Sequence, residues 1–287
     1  MSESPLVSVD WLAAHVTDPR VVVVDVRWYL MGKAGVDAYD AGHIPGASFV
    51  DLGAELAGDA ARGPGRHPLP EPAKFAALLS RLGVTEGSIV VAYDDAGGSI
   101  AARVWWLLRY FGHGGGRVLD GGIGAWIAAG HPLETSRPQR APAPPLALRP
   151  GGAPVVDKAD VARLAALGSP QALVLDARAR ERFEGRSEPI DARAGHVPGA
   201  RSAPFVENLV APSGVFLPRE ALAARYRALG ALDAENVVCY CGSGVTACHD
   251  LLALALLGRE DVALYEGSWS DWSRDLALPI ETGPGEP

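Results

Sequence analysis

The chain is built twice from one pattern, and that repetition constrains its fold more than any other property. Val21-Val22-Val23-Val24-Asp25-Val26-Arg27 returns as Ala172-Leu173-Val174-Leu175-Asp176-Ala177-Arg178. The turn Ala41-Gly42-His43-Ile44-Pro45-Gly46-Ala47 returns as Ala194-Gly195-His196-Val197-Pro198-Gly199-Ala200. A second apolar run, Ser88 to Asp94, recurs as Asn236 to Cys241. A third, Arg117 to Gly122 with Trp126, recurs as Val262 to Gly267 with Trp269 and Trp272. Short runs that are apolar throughout read as strands buried on both faces. Helical patterns alternate with them over Pro72 to Leu82, Ser99 to Phe111, Pro218 to Leu229 and Cys248 to Leu257. The fold class is therefore α/β with a mostly parallel sheet, formed once in each half. Between the halves, prolines at 138, 142, 144, 145, 150 and 154 forbid a helix or central strand. We expect one domain over 1–136, an extended linker over 137–154 and a second domain over 155–287.

Aligning the halves assigns their roles by contrast, because Asp94 falls where Cys241 stands. Cys241 ends a buried strand and opens the loop Gly242-Ser243-Gly244-Val245-Thr246, after which a helical segment starts. Converging backbone N–H groups and the positive end of a helix favour the thiolate, which is the nucleophilic form of cysteine. Glycines at 242 and 244 permit a tight curve with the amides turned inward. The first half keeps glycines in Asp94-Asp95-Ala96-Gly97-Gly98-Ser99 but has no nucleophile. It is expected to support chemistry done by the second half, and an acidic pair beside a helix N-terminus needs no catalytic role. Cys239, inside the strand, is expected to face the core.

The 287 residues carry 48% hydrophobic content, enough for a sizeable core, and a net charge of −8. That acidity argues against nucleic acid or an anionic membrane surface as partner, while leaving room for a small anion bound locally. No apolar run is long enough to span a bilayer, and the N-terminus shows no leader pattern, so a cytoplasmic location is expected. The three cysteines lie between 239 and 248 and make no disulfide framework.

The Asp-x-Arg strand, the Gly-His-Ile/Val-Pro-Gly-Ala turn, the Cys-Gly-Ser-Gly-Val-Thr-Ala loop and the glycine…tryptophan segment together resemble the tandem rhodanese sulfurtransferases, from about Leu6 to Ile280. The resemblance implies two rhodanese-like domains, each a five-stranded parallel sheet flanked by helices. It also implies no cofactor, no metal, and a ping-pong transfer through a persulfide on Cys241. The loop is similar to that of the 3-mercaptopyruvate type, since the thiosulfate-preferring type carries Arg-Lys where Gly242-Ser243 stands here. Partners implied are a small anionic sulfur donor and an acceptor such as thioredoxin, a small thiol or cyanide.

Within the resemblance, loop residues Gly242, Gly244, Val245 and Thr246 bind the donor and its anion, and Ser243 bonds the donor or relays a proton. The substrate arginine of the family matches Arg182. A second such arginine in some members falls at Ile190-Asp191 here, which leaves Arg186 as a candidate substitute. Some members use a Ser-His-Asp set. His67 matches the histidine, but Gly53 occupies the aspartate position, with Asp51 two residues earlier and Asp59 as another candidate. Arg178 is expected to pair with Asp176, Arg180 to be solvated, and His43 and His196 to be structural because both halves carry them.

Other classes fit less well. Cys239, Cys241, Cys248 and His249 lack the two separated ligand pairs of structural zinc. A cysteine phosphatase needs an arginine closing the loop, and none occurs before Arg259. Thiosulfate as the donor and a non-catalytic sulfur-carrying module are the alternatives to a mercaptopyruvate enzyme.

Overall fold

A computed structural model describes residues 4–285, and the chain divides into two compact units. The first comprises the chain through residue 58 with 70–152 and 209–216; the second comprises 59–69, 153–208 and residues from 217 on. Two short segments thus group away from their neighbours in sequence.

The first unit holds β1 (Leu6–Val7), β2 (Val21–Asp25), β3 (Ser48–Phe49), β4 (Ile89–Tyr93) and β5 (Gly116–Leu119) in the order β1-β5-β4-β2-β3, every neighbouring pair parallel. Its helices are α1 (Val9–His15), α2 (Gly35–Ala41), α3 (Leu52–Glu55), α4 (Pro72–Arg81), α5 (Ala101–Tyr110) and α6 (Gly122–Ala128). All five residues of β2 are buried, which is why its sequence shows no alternation. The second unit repeats the plan with β6 (Val155–Val156), α7 (Lys158–Leu167), β7 (Ala172–Asp176), α8 (Arg180–Phe183) and β8 (Arg201–Ser202). The antiparallel hairpin β9 (Leu209–Val210) and β10 (Val215–Phe216) follows and belongs to the first unit, where the Phe216 amide donates to Asp120 Oδ1 at 2.8 Å. The chain then returns to the second unit with α9 (Arg219–Ala228), β11 (Asn236–Tyr240), α10 (Ala247–Leu256), β12 (Ala263–Tyr265) and α11 (Ser268–Trp272). The second parallel sheet runs β6-β12-β11-β7-β8. Each unit is thus an α/β layer structure with a five-stranded parallel sheet.

The repeated motifs are one fastening made twice. Arg27 grips the Asp25 carboxylate and donates to the Gly42 carbonyl at 2.8 Å; Arg178 grips Asp176 and donates to the Gly195 carbonyl at 2.6 Å. These buried bidentate pairs hold the glycine-histidine turn against the strand end. His43 and His196 are fully buried and stack on Tyr39 and Phe183, and each exchanges backbone hydrogen bonds with a later segment, at Glu134 and Glu281 respectively. Their structural reading agrees with that geometry. Trp126 and Trp272 repeat a third fastening, donating Nε1–H to the carbonyls of Pro132 and Pro279, both at 2.9 Å.

The proline-rich stretch 137–154 forms no helix or strand, as its composition requires. It is tied down rather than loose: the Ala143 amide bonds the Ser80 carbonyl at 2.9 Å and the Gly152 amide bonds the Tyr110 carbonyl at 2.9 Å.

Candidate active site

In a parallel sheet, ligands bind beyond the carboxyl ends of strands at the point where the strand order reverses. In the second unit that point lies between β7 and β11, and Cys241 is the first residue after β11. The cysteine is buried, at 1% exposure, with Gly242 to Val245 also buried around it. Among the described residues, the backbone N–H groups of Gly242, Ser243, Val245, Thr246 and Ala247 find no acceptor in the protein. The loop is therefore a set of donors that the described residues leave without an acceptor, ahead of helix α10. That arrangement suits an anion.

The loop is held from behind by the start of α11. The Cys241 amide donates to Ser268 Oγ at 3.1 Å, the Trp269 amide to the Cys241 carbonyl at 2.9 Å, and the Ser270 amide to the Gly242 carbonyl at 2.9 Å. Ser268 has a φ of 53°, a left-handed conformation rare for a residue with a side chain. Such strain persists where the surroundings over-determine it. Gly244 has a φ of +77°, and a Cβ there would lie 2.5 Å from the Glu266 carbonyl oxygen, so only glycine fits.

Segment 59–69 packs on the same support. The Arg66 amide donates to Ser270 Oγ at 3.0 Å and the Leu69 amide to Glu266 Oε2 at 2.9 Å. Gly65 has a φ of +68°, and a Cβ there would lie 2.3 Å from the Gly267 carbonyl oxygen. This placement sets His67 Nδ1 at 2.8 Å from Ser243 Oγ. The structure thus brings His67 and Ser243 together next to Cys241. Asp59 turns its carboxylate to the Ala61 amide and Arg62, and Asp51 caps α3 through the Ala54 amide.

A row of alternating charges reaches the loop from β7. Asp176 pairs with Arg178, as expected, and Arg178 with Glu188. Glu188 takes Arg182 at 2.7 Å, Arg182 reaches Asp191 at 3.2 Å, and Asp191 pairs with Arg66. Burial opposes charge on Glu188, but the Arg182 hydrogen bond and the amides of Asp191 and Ile190 hold its carboxyl below the usual range. Burial pushes the Asp191 carboxyl up, and the Arg66 and Arg182 charges offset this only in part. From Gly242 the space a Cβ would fill lies 3.0 Å from Arg66 Nη2 and 3.5 Å from Arg182 Nη1. Arg182 therefore stands at the loop. Arg186 does not: its side chain is 61% exposed and pairs with Glu184. Arg180 is 47% exposed beside Glu207.

Sequence reasoning missed Arg66, Glu188, Asp191 and the Ser268–Ser270 support. One signal existed for Arg66, since it immediately precedes the histidine already singled out.

The first unit fills the equivalent loop with a side chain of its own. There the Asp94 carboxylate accepts the amides of Ala96 and Gly98 through Oδ1, both at 2.8 Å, and those of Ile100 and Ala101 through Oδ2, at 2.8 and 2.9 Å. Burial pushes the Asp94 carboxyl up while these amides lower it, and this carboxyl occupies the loop that in the second unit follows Cys241. Among the described residues no group of three or more His, Cys, Asp or Glu could hold a metal ion, and no helix is long and apolar enough to cross a membrane.

The family model of the rhodanese-like domain matches residues 8–129 and 159–275. A Pseudomonas aeruginosa protein named Probable 3-mercaptopyruvate sulfurtransferase is 44% identical over 294 residues, covering 99% of this chain and 100% of its own. The thiosulfate sulfurtransferase of Rattus norvegicus is 35% identical over 298 residues, covering 96% of this chain and 94% of its own. The crystal structure of SseA from Escherichia coli, described as a 3-mercaptopyruvate sulfotransferase with the rhodanese fold, superposes with a TM-score of 0.81 at 33% identity. That alignment covers 93% of this chain and 100% of SseA.

Proposed function

This chain belongs to the rhodanese family and is a sulfurtransferase, and we propose that it takes a sulfur atom from 3-mercaptopyruvate, holds it as a persulfide on Cys241 and passes it to a thiol or to cyanide. The observation that carries this reading is the loop after Cys241, whose five N–H groups have no acceptor among the described residues while an arginine edge stands over Gly242.

The chemistry follows from the parts. The Cys241 thiolate attacks the sulfur of mercaptopyruvate; an S–S bond forms, the C–S bond breaks and pyruvate leaves as its enolate. Inward N–H groups stabilise the negative charge on the outer sulfur without a proton having to arrive. Ser243 and His67, 2.8 Å apart, carry the thiol proton of the donor toward the departing enolate. An acceptor thiolate then attacks the outer sulfur and regenerates the Cys241 thiolate. Thioredoxin or a small thiol fits that second step, and a reducing compartment such as the cytoplasm keeps Cys241 available for it. The Arg182 guanidinium takes the donor carboxylate.

Steady-state turnover with 3-mercaptopyruvate and with thiosulfate, each with dithiothreitol and with cyanide as acceptor, tests the donor. We expect kcat/KM for mercaptopyruvate to lead by roughly tenfold or more, the worth of a charge-assisted bidentate contact. The reverse ranking assigns thiosulfate as donor, and turnover of neither leaves a sulfur carrier.

Two further results are expected from this reading. Ser243→Ala and His67→Ala should each lower kcat for mercaptopyruvate by roughly 10²-fold, and the double variant should be little worse than either. Additive losses would show that the two side chains do not act together. Arg182→Ala should raise KM for mercaptopyruvate by roughly tenfold, and by more than it raises KM for thiosulfate. Equal effects on both donors would assign Arg182 to general anion attraction or to holding Glu188.

A further inference from the structure

We infer that the side chains of Glu266 and Ser270 are positioning groups for the transfer from 3-mercaptopyruvate: they pin the backbone on either side of His67 and so set its imidazole against Ser243. The inference rests on the mercaptopyruvate reading and deepens it, because only a donor that brings a thiol proton needs that contact. His67 lies in 59–69, a segment with no helix or strand of its own to fix its backbone. One residue before it, the Arg66 amide donates to Ser270 Oγ at 3.0 Å; two residues after it, the Leu69 amide donates to Glu266 Oε2 at 2.9 Å. Pro68, between them, has no N–H to give. The nearest backbone donors on both sides of the histidine are therefore held by side chains of one short stretch, 266–270. Asp51 and Asp59, the acidic candidates of the first half, spend their carboxylates on amides of their own turns.

The geometry of each tie is itself fixed. Ser270 is fully buried, and its hydroxyl donates to the Gly267 carbonyl at 3.1 Å, which turns the oxygen lone pairs toward the Arg66 amide. Gly65 lets the segment approach that closely, since a Cβ there would lie 2.7 Å from Ser270 Oγ. The same stretch also carries the other partner. Ser268 Oγ takes the Cys241 amide, the Ser270 amide bonds the Gly242 carbonyl, and the Glu266 carbonyl oxygen lies against Gly244. Ser243 and His67 are thus mounted on one support, and their 2.8 Å separation does not depend on packing elsewhere. The consequence is selective for the donor. Mercaptopyruvate gives up a thiol proton as its C–S bond breaks, so a displaced imidazole slows it. Thiosulfate has no such proton: the Cys241 thiolate bonds its outer sulfur, the old S–S bond breaks, and sulfite leaves with the electron pair.

The test is kcat and KM for both donors in Glu266→Ala, Glu266→Gln and Ser270→Ala, each made in the wild type and in His67→Ala. We expect Glu266→Ala and Ser270→Ala each to lower kcat for mercaptopyruvate by roughly tenfold, the cost of a proton carrier misplaced by a fraction of an ångström. KM for mercaptopyruvate and turnover of thiosulfate should both stay within about threefold of wild type. Glutamine keeps an oxygen that accepts the Leu69 amide, so Glu266→Gln should recover most of the loss. In His67→Ala the same substitutions should cost less than about twofold more, because the group they position is already gone. Should Glu266→Ala not fold, Ser270→Ala carries the test from the other side of the histidine. Unchanged kcat in the folded alanine variants overturns the inference. Equal losses with both donors, or losses that add in full to that of His67→Ala, overturn it as well and assign the two side chains to the loop itself. A His67→Ala variant as active on mercaptopyruvate as wild type overturns the proton relay, and this inference with it.

Discussion

Cys241→Ser is expected to abolish sulfur transfer from either donor, lowering kcat/KM by at least roughly 10⁴-fold, while the protein keeps its fold. The size of the effect follows from chemistry: a serine hydroxyl can form neither the S–S bond nor the persulfide on which both half-reactions depend. The small structural cost follows from place. What the loop needs from position 241 is its backbone, whose amide and carbonyl bond Ser268 and Trp269 and are unchanged in the variant. Far-UV circular dichroism and the melting temperature should stay within a few degrees of wild type, as for substitutions that neither open a cavity nor strand a charge. Residual turnover above roughly a hundredth of wild type would move the nucleophile elsewhere.

Gly244→Ala should have the next largest effect, and through geometry alone. Alanine in the left-handed region costs about 1–2 kcal/mol. In addition the new Cβ would stand 2.5 Å from the Glu266 carbonyl oxygen and 3.2 Å from its carbon, and a backbone atom cannot swing aside as a side chain tip can. Relief requires the loop to shift, which turns its N–H groups off the anion; losing such preorganised donors is worth roughly 10²–10³-fold in kcat. Melting should fall by roughly 5–10 °C. Gly258→Ala is the control, with a φ of +93° but nothing within 4 Å of its Cβ, so it carries the conformational cost without the clash. Equal behaviour of the two variants, in activity and in melting, would mean that the curve at Gly244 is not what positions the donors.

The strands were legible as short unbroken apolar runs because nearly all their residues are buried, and the principal helices because their buried residues recur at helical spacing. Val21 to Asp25 and Asn236 to Tyr240 needed no partner to be recognised. The repeated Asp-x-Arg and glycine-histidine motifs were visible as repeats, yet their purpose was not. Arg178 reaching the Gly195 carbonyl, and His196 joining Glu281, are contacts between residues far apart in sequence, and no local pattern encodes them. The same limit hid the charge row. Arg66, Glu188 and Asp191 follow no local pattern, and only the ion pairs that join them through Arg182, with Arg66 and Arg182 meeting at Gly242, distinguish them from solvated residues. The grouping of segments 59–69 and 209–216 away from their sequence neighbours was hidden for a related reason: strands of two residues such as Leu209–Val210 and Val215–Phe216 have no period to read, and 59–69 contains no strand or helix. Asp94 was read as favourable beside a helix N-terminus, and the structure adds that its carboxylate gathers four amides of its own loop.

The most direct measurement is the intact mass of the protein after 3-mercaptopyruvate is added without an acceptor, followed by peptide mapping. A gain of one sulfur atom per chain is expected, located on the peptide that contains Cys241, accompanied by one equivalent of pyruvate and reversed by dithiothreitol. Pyruvate formed without any retained sulfur, or sulfur retained on Cys239 or Cys248 instead, would contradict it.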